Sequence, residues 1–178
     1  PNVTGLGTAL ENEGVIQKIT LKLYKIALGK AACVFFQNNL NRQVLLDKGV
    51  LKSKSKVIPG SGVNVIQHKF EDYPPSKGNV KILFIGRLMR EKGVEELIKA
   101  IKIVKPKYPT VEFHFVGGRE ETNNPIIEDS IKDNLIIYHG VKSQVHEYIK
   151  NSHALINPSH HEGMSNVLLE AASTGRPV

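Results

Sequence analysis

The sequence predicts an α/β fold in which helices flank a parallel β-sheet. From Val80 onward, short apolar runs alternate with segments whose apolar residues recur at helical spacing. This alternation is typical of parallel sheets, whose successive strands are joined by helical crossovers. Before that region, residues 59–64 combine one proline with glycines that break regular structure, which indicates a boundary between two parts of the chain.

The part before this boundary predicts two helices and two strands, after a glycine-containing loop over residues 4–8. Five apolar residues at near-helical spacing predict the first helix, namely Ile16, Ile19, Leu23, Ile26 and Ala27. In order, the elements are a helix over residues 16–28, a strand over residues 31–36, a helix capped by Asn38 or Asn39, and a strand over residues 56–58. Leu40, Val44 and Leu45 should line the inner face of the second helix, and Gly49 should end it.

The part after the boundary predicts four further strands that alternate with helices. The strands cover residues 81–85, 111–116, 135–138 and 154–156, and the helices cover residues 95–104, 125–131, 145–150 and 167–172. The first of these helices should bury Leu97, Ile98, Ile101 and Val104. Residues 68–79, with two prolines, predict an irregular linker.

We therefore divide the chain into residues 1–64 and residues 65–178. The pattern is expected to be incomplete at both ends, because the first part has few strands and Pro177 begins what should be another strand. The chain also opens without a methionine, as an excised fragment would.

Composition describes an ordinary globular protein, with 178 residues, 40% hydrophobic and 23% charged residues, and no apolar run long enough to span a membrane. Cys33 is the single cysteine, so an internal disulfide is excluded and a buried thiol is expected; the chain is compatible with the cytoplasm. The net charge of +7 is basic enough to suggest an acidic partner, such as a nucleic acid, a diphosphate or an anionic membrane contacted peripherally, although a solvated basic face is the default interpretation. With 6% aromatic residues and no basic–aromatic motif, nucleic acid is not expected.

A run of turn-forming residues separates the last predicted strand from the last helix. Residues 157–166 end in Gly163, Met164, Ser165 and Asn166, just where the helix should start. The first amides of a helix lack partners within it and lie at the positive end of its dipole, so they can bind an anion.

Two carboxylates flank this anion seat, Glu162 in the turn and Glu170 in the helix. Carboxylates are poor ligands for phosphate but good partners for sugar hydroxyls, which predicts a ligand with both groups. His160 and His161 precede Glu162, but a third metal ligand at workable spacing is missing, so no metal site is expected.

A second motif, residues 86–93, follows the first strand of the second part. Gly86 permits close approach of the backbone, while Arg87 offers a planar fork of donors and Lys92 a point charge. Ligands of open α/β sheets bind beyond the carboxyl ends of the strands, where this loop should lie. Its two cations match the charge of a diphosphate.

Together these motifs resemble a known family. The string His-Glu-Gly-Met-Ser-Asn-Val-Leu-Leu-Glu-Ala-Ala, residues 161–172, resembles the two-glutamate signature of glycosyltransferase family 4, and residues 86–93 resemble its Gly-Arg-x-x-x-x-Lys-Gly pattern. The resemblance implies a retaining GT-B enzyme with two Rossmann-like domains, here the end of the acceptor-side domain followed by most of the donor-binding domain. Asn64 stands where the family carries an aspartate at the interdomain hinge.

The resemblance implies a nucleotide-sugar donor, most simply a UDP-sugar, and a glycan or lipid-linked acceptor in polysaccharide or glycolipid synthesis, as in capsule or lipopolysaccharide. Arg87 and Lys92 would hold the diphosphate, Glu162 the donor sugar and Glu170 the ribose. Val141 would meet the base by analogy alone. No cofactor or metal is implied, and no Asp-x-Asp metal motif occurs at the candidate site.

Two rival functions remain open at this point. One is a nucleotide-sugar epimerase or phosphorylase of similar shape, which should need additional acid–base or cofactor residues. The other is a non-catalytic nucleotide-sugar-binding module, because the fragment is expected to be inactive without its full acceptor domain. Titration with UDP, UDP-sugars and an oligonucleotide would separate these functions from nucleic-acid binding.

Overall fold

A computed structural model describes residues 1–7, 10, 14–75, 77–119, 124–160 and 162–178. The chain divides into two compact units. Unit 1 comprises Pro1–Gly62 and Glu162–Ser165, and unit 2 comprises Val63–His161 and Asn166–Val178. Thr8 of the loop expected over residues 4–8, and His161 of the histidine pair, lie outside the described residues.

Unit 1 contains a three-stranded parallel sheet in the order β1-β2-β3. Its elements are β1 (Asn2–Val3), α1 (Val15–Gly29), β2 (Val34–Phe36), α2 (Asn39–Asp47) and β3 (Ser55–Val57). The sequence did not predict β1, a two-residue strand that pairs Val3 with Phe36. The strand predicted over residues 31–36 begins later than expected, at Val34, and the half-buried Cys33 precedes the ladder.

Helix α2 differs from expectation at one of the three apolar positions assigned to its inner face. The side chain of Asn38 accepts a hydrogen bond from the amide of Asn41 (2.7 Å) and so caps the helix as predicted. Leu45 is fully buried, but Leu40 is 68% exposed, so its assignment to the inner face was wrong. Five residues separate the two leucines, which puts them about 140° apart around the helix.

Helix α1 also differs from expectation. Its predicted apolar residues face outward, and the side chains that it buries are Gln17 and Leu28. The side-chain amide of Gln17 donates a hydrogen bond to the carbonyl of Leu10 (2.9 Å), which ties the start of the helix to Leu10.

Unit 2 contains a four-stranded parallel sheet in the order β6-β5-β4-β7, which confirms the predicted fold class. Its elements are β4 (Val80–Ile85), α3 (Val94–Val104), β5 (Val111–Val116), α4 (Pro125–Lys132), β6 (Ile137–Tyr138), α5 (Val145–Lys150), β7 (Ala154–Leu155) and α6 (Asn166–Ser173). Strand β6 is shorter than predicted, because the amides of Leu135 and Ile136 bond the carbonyl of Ser130 and belong to the turn after α4.

Each face of this sheet carries its own hydrophobic core. On one face Phe84, Phe113 and Phe115 pack against the buried side of α3, whose Leu97, Ile98 and Ile101 are buried as predicted. On the other face Leu83 and Val116 pack against residues of α5, β7 and α6. Burying each large aliphatic side chain contributes roughly 1.5–3 kcal/mol, so these two cores fix the position of every loop at the carboxyl edge of the sheet.

Candidate functional site

The loop after β4 carries the predicted motif of residues 86–93. The amide of Gly86 donates to the carbonyl of Val116 (2.9 Å), and the amide of Leu88 donates to that of Gly118 (2.7 Å), so the loop continues the ladder with the segment after β5. Arg87 between them is exposed. A short 3₁₀ turn over Arg90–Lys92 follows, and it ends at Gly93, whose φ of 65° lies in the left-handed region.

The loop after β5 contacts both the loop after β4 and the loop after β6. Gly117 has φ 145°, and a methyl group there would collide with the carbonyl oxygen of Gly86, so only glycine fits this close approach. Its amide donates to the carbonyl of Gly140 (2.9 Å), and its carbonyl accepts the hydroxyl of Tyr138 (2.9 Å). Val141, which follows Gly140, is 76% exposed at this edge.

The loop after β7 also contacts the loop after β4. The amide of His160 donates to the carbonyl of Glu91 (3.1 Å), beside Lys92. Gly93 is buried against Pro158, so a side chain at position 93 would meet the Pro158 backbone, with its carbonyl carbon at 2.9 Å. Four loops that follow four parallel strands are therefore joined directly to one another at the carboxyl edge of the unit 2 sheet.

The glycine-containing part of the turn motif of residues 157–166, Glu162–Ser165, belongs to unit 1. The amide of Met164 donates to the side-chain oxygen of Gln37 (3.2 Å), and the side-chain amide of Asn38 donates to the carbonyl of Glu162 (3.1 Å). Any side chain at Gly163 would collide with the carbonyl oxygen of Thr4. Thr4 and Gln37 directly follow β1 and β2, so these four residues lie at the carboxyl edge of the unit 1 sheet.

Within this part of the motif, Glu162 is exposed, Met164 is 37% exposed and Ser165 is half-buried. Helix α6 then begins at Asn166, close to the start predicted from the turn. The sequence could not indicate that Glu162–Ser165 would belong to unit 1, because the residue types of this segment do not show which of the two sheets it lies against.

Glu170 lies on α6 beside a buried histidine that the sequence did not single out. Nε2 of His68 is 3.8 Å from Oε1 of Glu170, close enough for an ion pair when His68 is protonated. His68 is 4% exposed, its carbonyl accepts the hydroxyl of Ser173 (2.6 Å), and its ring meets that of His146 edge-on. Among the described residues, no group bonds its Nδ1. His68 begins the segment predicted as an irregular linker, where no periodicity could indicate burial.

The same segment is held to unit 2 by Arg176. Its guanidinium is buried and donates to the carbonyls of Glu71 (3.0 Å), Asp72 (2.7 Å) and Lys150 (2.8 Å), while burial lowers its pKa. The hydrogen bond from His146 lowers the pKa of the Glu71 carboxyl. The contacts of Arg176 therefore hold Glu71 and Asp72 next to the end of α5.

Two kinds of site are absent from the described part of the chain, a metal cluster and a membrane-spanning helix. Among those residues, no three His, Cys, Asp or Glu side chains lie where they could hold a metal ion. Across the same residues, none of the helices combines the length and the apolar character that a membrane crossing requires.

Comparison with known proteins gives matches in both sequence and structure. The profile of the family described as glycosyl transferases group 1 matches residues 79–178. The chain is 27% identical to the N,N'-diacetylbacillosaminyl-diphospho-undecaprenol alpha-1,3-N-acetylgalactosaminyltransferase of Campylobacter jejuni, over 99% of the chain and 50% of that protein. It is 30% identical to the capsular polysaccharide biosynthesis glycosyltransferase CapM of Staphylococcus aureus, over 56% of the chain and 27% of that protein.

Among solved structures, the chain resembles Anabaena Alr3699/HepE in complex with UDP, with a TM-score of 0.78 and 18% identity, over 99% of the chain and 51% of that structure. At this identity the likeness shows the fold, which is of the GT-B type. The chain spans about half the length of the Campylobacter and Anabaena proteins.

Proposed function

Because the chain belongs to the glycosyl transferases group 1 family, we propose that the protein transfers a sugar from a nucleotide-diphosphate sugar to a glycan or lipid-linked acceptor. A UDP-sugar is the proposed donor, in line with the UDP bound by the Anabaena protein. The names of the Campylobacter and Staphylococcus relatives support a role in glycolipid or polysaccharide assembly, such as capsule or lipopolysaccharide synthesis. Retention of configuration follows from the resemblance to glycosyltransferase family 4.

The observation that carries this proposal is the joining of four loops at one edge of the unit 2 sheet. Hydrogen bonds connect the loop of Arg87 and Lys92 to the loops after β5 and β7. In open α/β sheets this edge is where ligands bind. A rigid seat with two cations suits a diphosphate, because fixed donors need no reorganisation when charge develops there.

Cleavage of the bond between sugar and diphosphate leaves negative charge on the diphosphate. We assign Arg87 and Lys92 to that charge, since donors aimed at the leaving group stabilise the transition state more than the ground state. Amides of residues 163–166 would bind the phosphate or the donor sugar, as the first amides of a helix can. This assignment requires no metal ion.

The two carboxylates take different parts of the donor in this proposal. Glu162 would accept hydrogen bonds from hydroxyls of the transferred sugar and stabilise positive charge at its anomeric carbon. Glu170 would accept hydrogen bonds from the ribose, with Val141 near the base. We place the reaction in the cytoplasm, at the inner face of the membrane where a lipid-linked acceptor would be held.

Calorimetric titration of the chain with UDP tests the diphosphate seat. Arg87→Ala and Lys92→Ala should each weaken UDP binding about 10- to 100-fold, because each removes a charge-assisted hydrogen bond. Arg90→Ala is the matched control, since Arg90 is an exposed cation of the same loop to which we assign no role. Equal losses in all three variants, or binding of a short oligonucleotide but not of UDP, would contradict the proposal.

A further inference from the structure

His68 is a buried polar residue beside Glu170, the carboxylate that we assign to the ribose of the donor. It is 4% exposed, and its Nε2 lies 3.8 Å from Oε1 of Glu170. This separation is that of an ion pair rather than of a direct hydrogen bond. Both residues belong to unit 2, so the contact lies within one compact unit of the chain.

The surroundings of the two ring nitrogens of His68 show which of them carries the proton. Among the described residues nothing bonds Nδ1, so an N–H at that position would be a buried donor without an acceptor. Nε2 is instead the nitrogen that lies near a carboxylate oxygen. We therefore assign the proton of the neutral ring to Nε2, which makes this nitrogen a donor toward Glu170 whether or not His68 is charged.

A capped turn places His68 at this position. The side-chain oxygen of Asn64 accepts hydrogen bonds from the amides of Ile66 (3.0 Å) and Gln67 (3.2 Å). The backbone carbonyl of Asn64 accepts the amide of His68 (2.8 Å). An asparagine that bonds the amides after it stabilises a turn locally, so the backbone position of His68 is set by its own segment.

Two helices hold His68 from other sides. Its carbonyl accepts the hydroxyl of Ser173 (2.6 Å), which lies about one turn beyond Glu170 on α6. The ring of His146, on α5, meets the ring of His68 edge-on, with 5.4 Å between the centroids. The backbone and the ring of His68 therefore both have fixed neighbours, and its Nε2 is a fixed donor for Glu170.

A carboxylate that is already held in place binds hydroxyl groups better than a mobile one. A glutamate side chain that a ligand must immobilise loses rotamer freedom, at a cost on the order of tenfold in affinity. A fixed donor beside one oxygen removes much of this cost before the ligand arrives. An ionised carboxylate has about four lone-pair positions, so His68 leaves enough of them for the ribose hydroxyls.

We infer that His68 is the positioning residue of Glu170 and that this pair sets the preference of the site for ribose over deoxyribose. The inference rests on the assignment of Glu170 to the ribose in the proposed function. Because His68 acts through Glu170 alone, it should leave the binding of the diphosphate by Arg87 and Lys92 unchanged.

Calorimetric titration with UDP, 2′-deoxy-UDP and 3′-deoxy-UDP tests this role, because a site built to bond a hydroxyl discriminates against an analogue that lacks it. The parent chain should bind at least one of the two analogues about tenfold more weakly than UDP. His68→Phe keeps an aromatic ring but has no donor, and it should lower this preference at least about threefold by weakening UDP binding alone. His68→Leu gives the same test with a second apolar side chain.

Two further variants show whether the effect passes through the carboxylate. His68→Gln keeps a side-chain N–H and should retain a preference for UDP within about twofold of that of the parent chain. In a Glu170→Gln background, His68→Phe should cause no further loss of preference, because the group that it positions is already changed.

His153→Phe is the matched control. His153 is also buried (7% exposed), but its ring bonds the amide of Lys81 (3.0 Å) and the carbonyl of Pro75 (3.3 Å) instead of a carboxylate. Its replacement should lower the stability of unit 2 without changing the preference for UDP over the deoxy analogues. Circular dichroism should show that every variant keeps its helices.

Urea unfolding without ligand tests the contact between His68 and Glu170 by itself. In a cycle of His68→Phe and Glu170→Gln, the change in the unfolding constant of the double variant should differ from the product of the single changes by about threefold. Independent effects of the two substitutions would overturn the inference, whatever the chain binds.

The binding results separate this inference from the proposed function. UDP binding that depends on Arg87 and Lys92, but keeps its full ribose preference in His68→Phe, would overturn the inference and leave the proposed function intact. Equal loss of preference in His68→Phe and His153→Phe would also overturn it, since His68 would then have a structural role only. No UDP binding by the parent chain would overturn the proposed function and the inference together.

Discussion

Substitution of Gly93 by alanine tests the joining of the loops that carry the two motifs. Gly93 ends the 3₁₀ turn beside Lys92 and starts α3, with φ at 65°. A methyl group there would collide with the carbonyl oxygen of Pro158 and lie 2.9 Å from its carbonyl carbon. Alanine should therefore force the loop after β4 away from the loop after β7.

The expected loss has two parts. A left-handed conformation costs an alanine about 1–2 kcal/mol relative to glycine. Overpacking against a buried backbone adds about 1–3 kcal/mol, because a carbonyl group cannot rotate away as a flexible side chain would. Gly93→Ala should therefore lower the free energy of unfolding of unit 2 by roughly 2–5 kcal/mol.

Gly140→Ala is the control that separates these parts. Gly140 lies in the same unit with φ at 71°, but nothing lies within 4 Å of where its Cβ would be. Gly140→Ala should therefore lower the free energy of unfolding only by the cost of the left-handed conformation, about 1–2 kcal/mol.

Urea unfolding followed by tyrosine near-ultraviolet circular dichroism measures both variants. Four tyrosines lie in unit 2, and Tyr24 alone lies in unit 1, so the signal reports mainly on the unit that is changed. Equal losses in Gly93→Ala and Gly140→Ala would refute the reasoning, because they would show that Pro158 does not press against Gly93 in the folded protein.

Two further predictions concern acid sensitivity and the carboxylates. Burial, and then the nearby His114 and Lys142, lower the pKa of His139 below its ordinary value of 6.5. The unfolded chain therefore binds this proton more readily, so stability should be full above pH 6.5 and fall as the pH drops toward the folded-state pKa. Between pH 7.5 and pH 5 the melting temperature should fall less for His139→Gln than for the parent chain. An equal fall in both would contradict this prediction. In a form of the enzyme that includes the acceptor side, Glu162→Ala should lower turnover at least about tenfold with little loss of UDP affinity, whereas Glu170→Gln should weaken UDP binding roughly tenfold. Equal loss of turnover and affinity in Glu162→Ala would remove its role at the sugar.

The elements most clearly predicted by the sequence are those whose pattern is local. Helix α5 has the predicted bounds, and the buried face of α3 is the predicted one, since the apolar stripe of α3 is the face that packs on the sheet. The alternation of apolar strands with helices likewise predicted the parallel sheet of unit 2.

Periodicity failed where it could not show which face is inside. The apolar row of α1 has helical spacing but is exposed, and Leu40 of α2 also faces outward. A period predicts that a helix is two-sided, and only the packing of the sheet decides which side is covered.

The candidate site was also predicted only in part from the sequence. Residue types and their spacing were enough to single out Arg87 and Lys92, and the glycines of the two motifs, since cations, small turn residues and a helix start suit an anion wherever they occur. Their assignment to a donor diphosphate stays a prediction until UDP binding is measured.

Contacts between residues far apart in the chain were decided by tertiary structure alone. Gly117 must be glycine because the carbonyl of Gly86 lies against it, and His68 meets Glu170 across about a hundred residues of sequence. A local sequence pattern does not predict such contacts. The type of a residue is known from the sequence, but which distant residues lie against it depends on how the strands and helices pack.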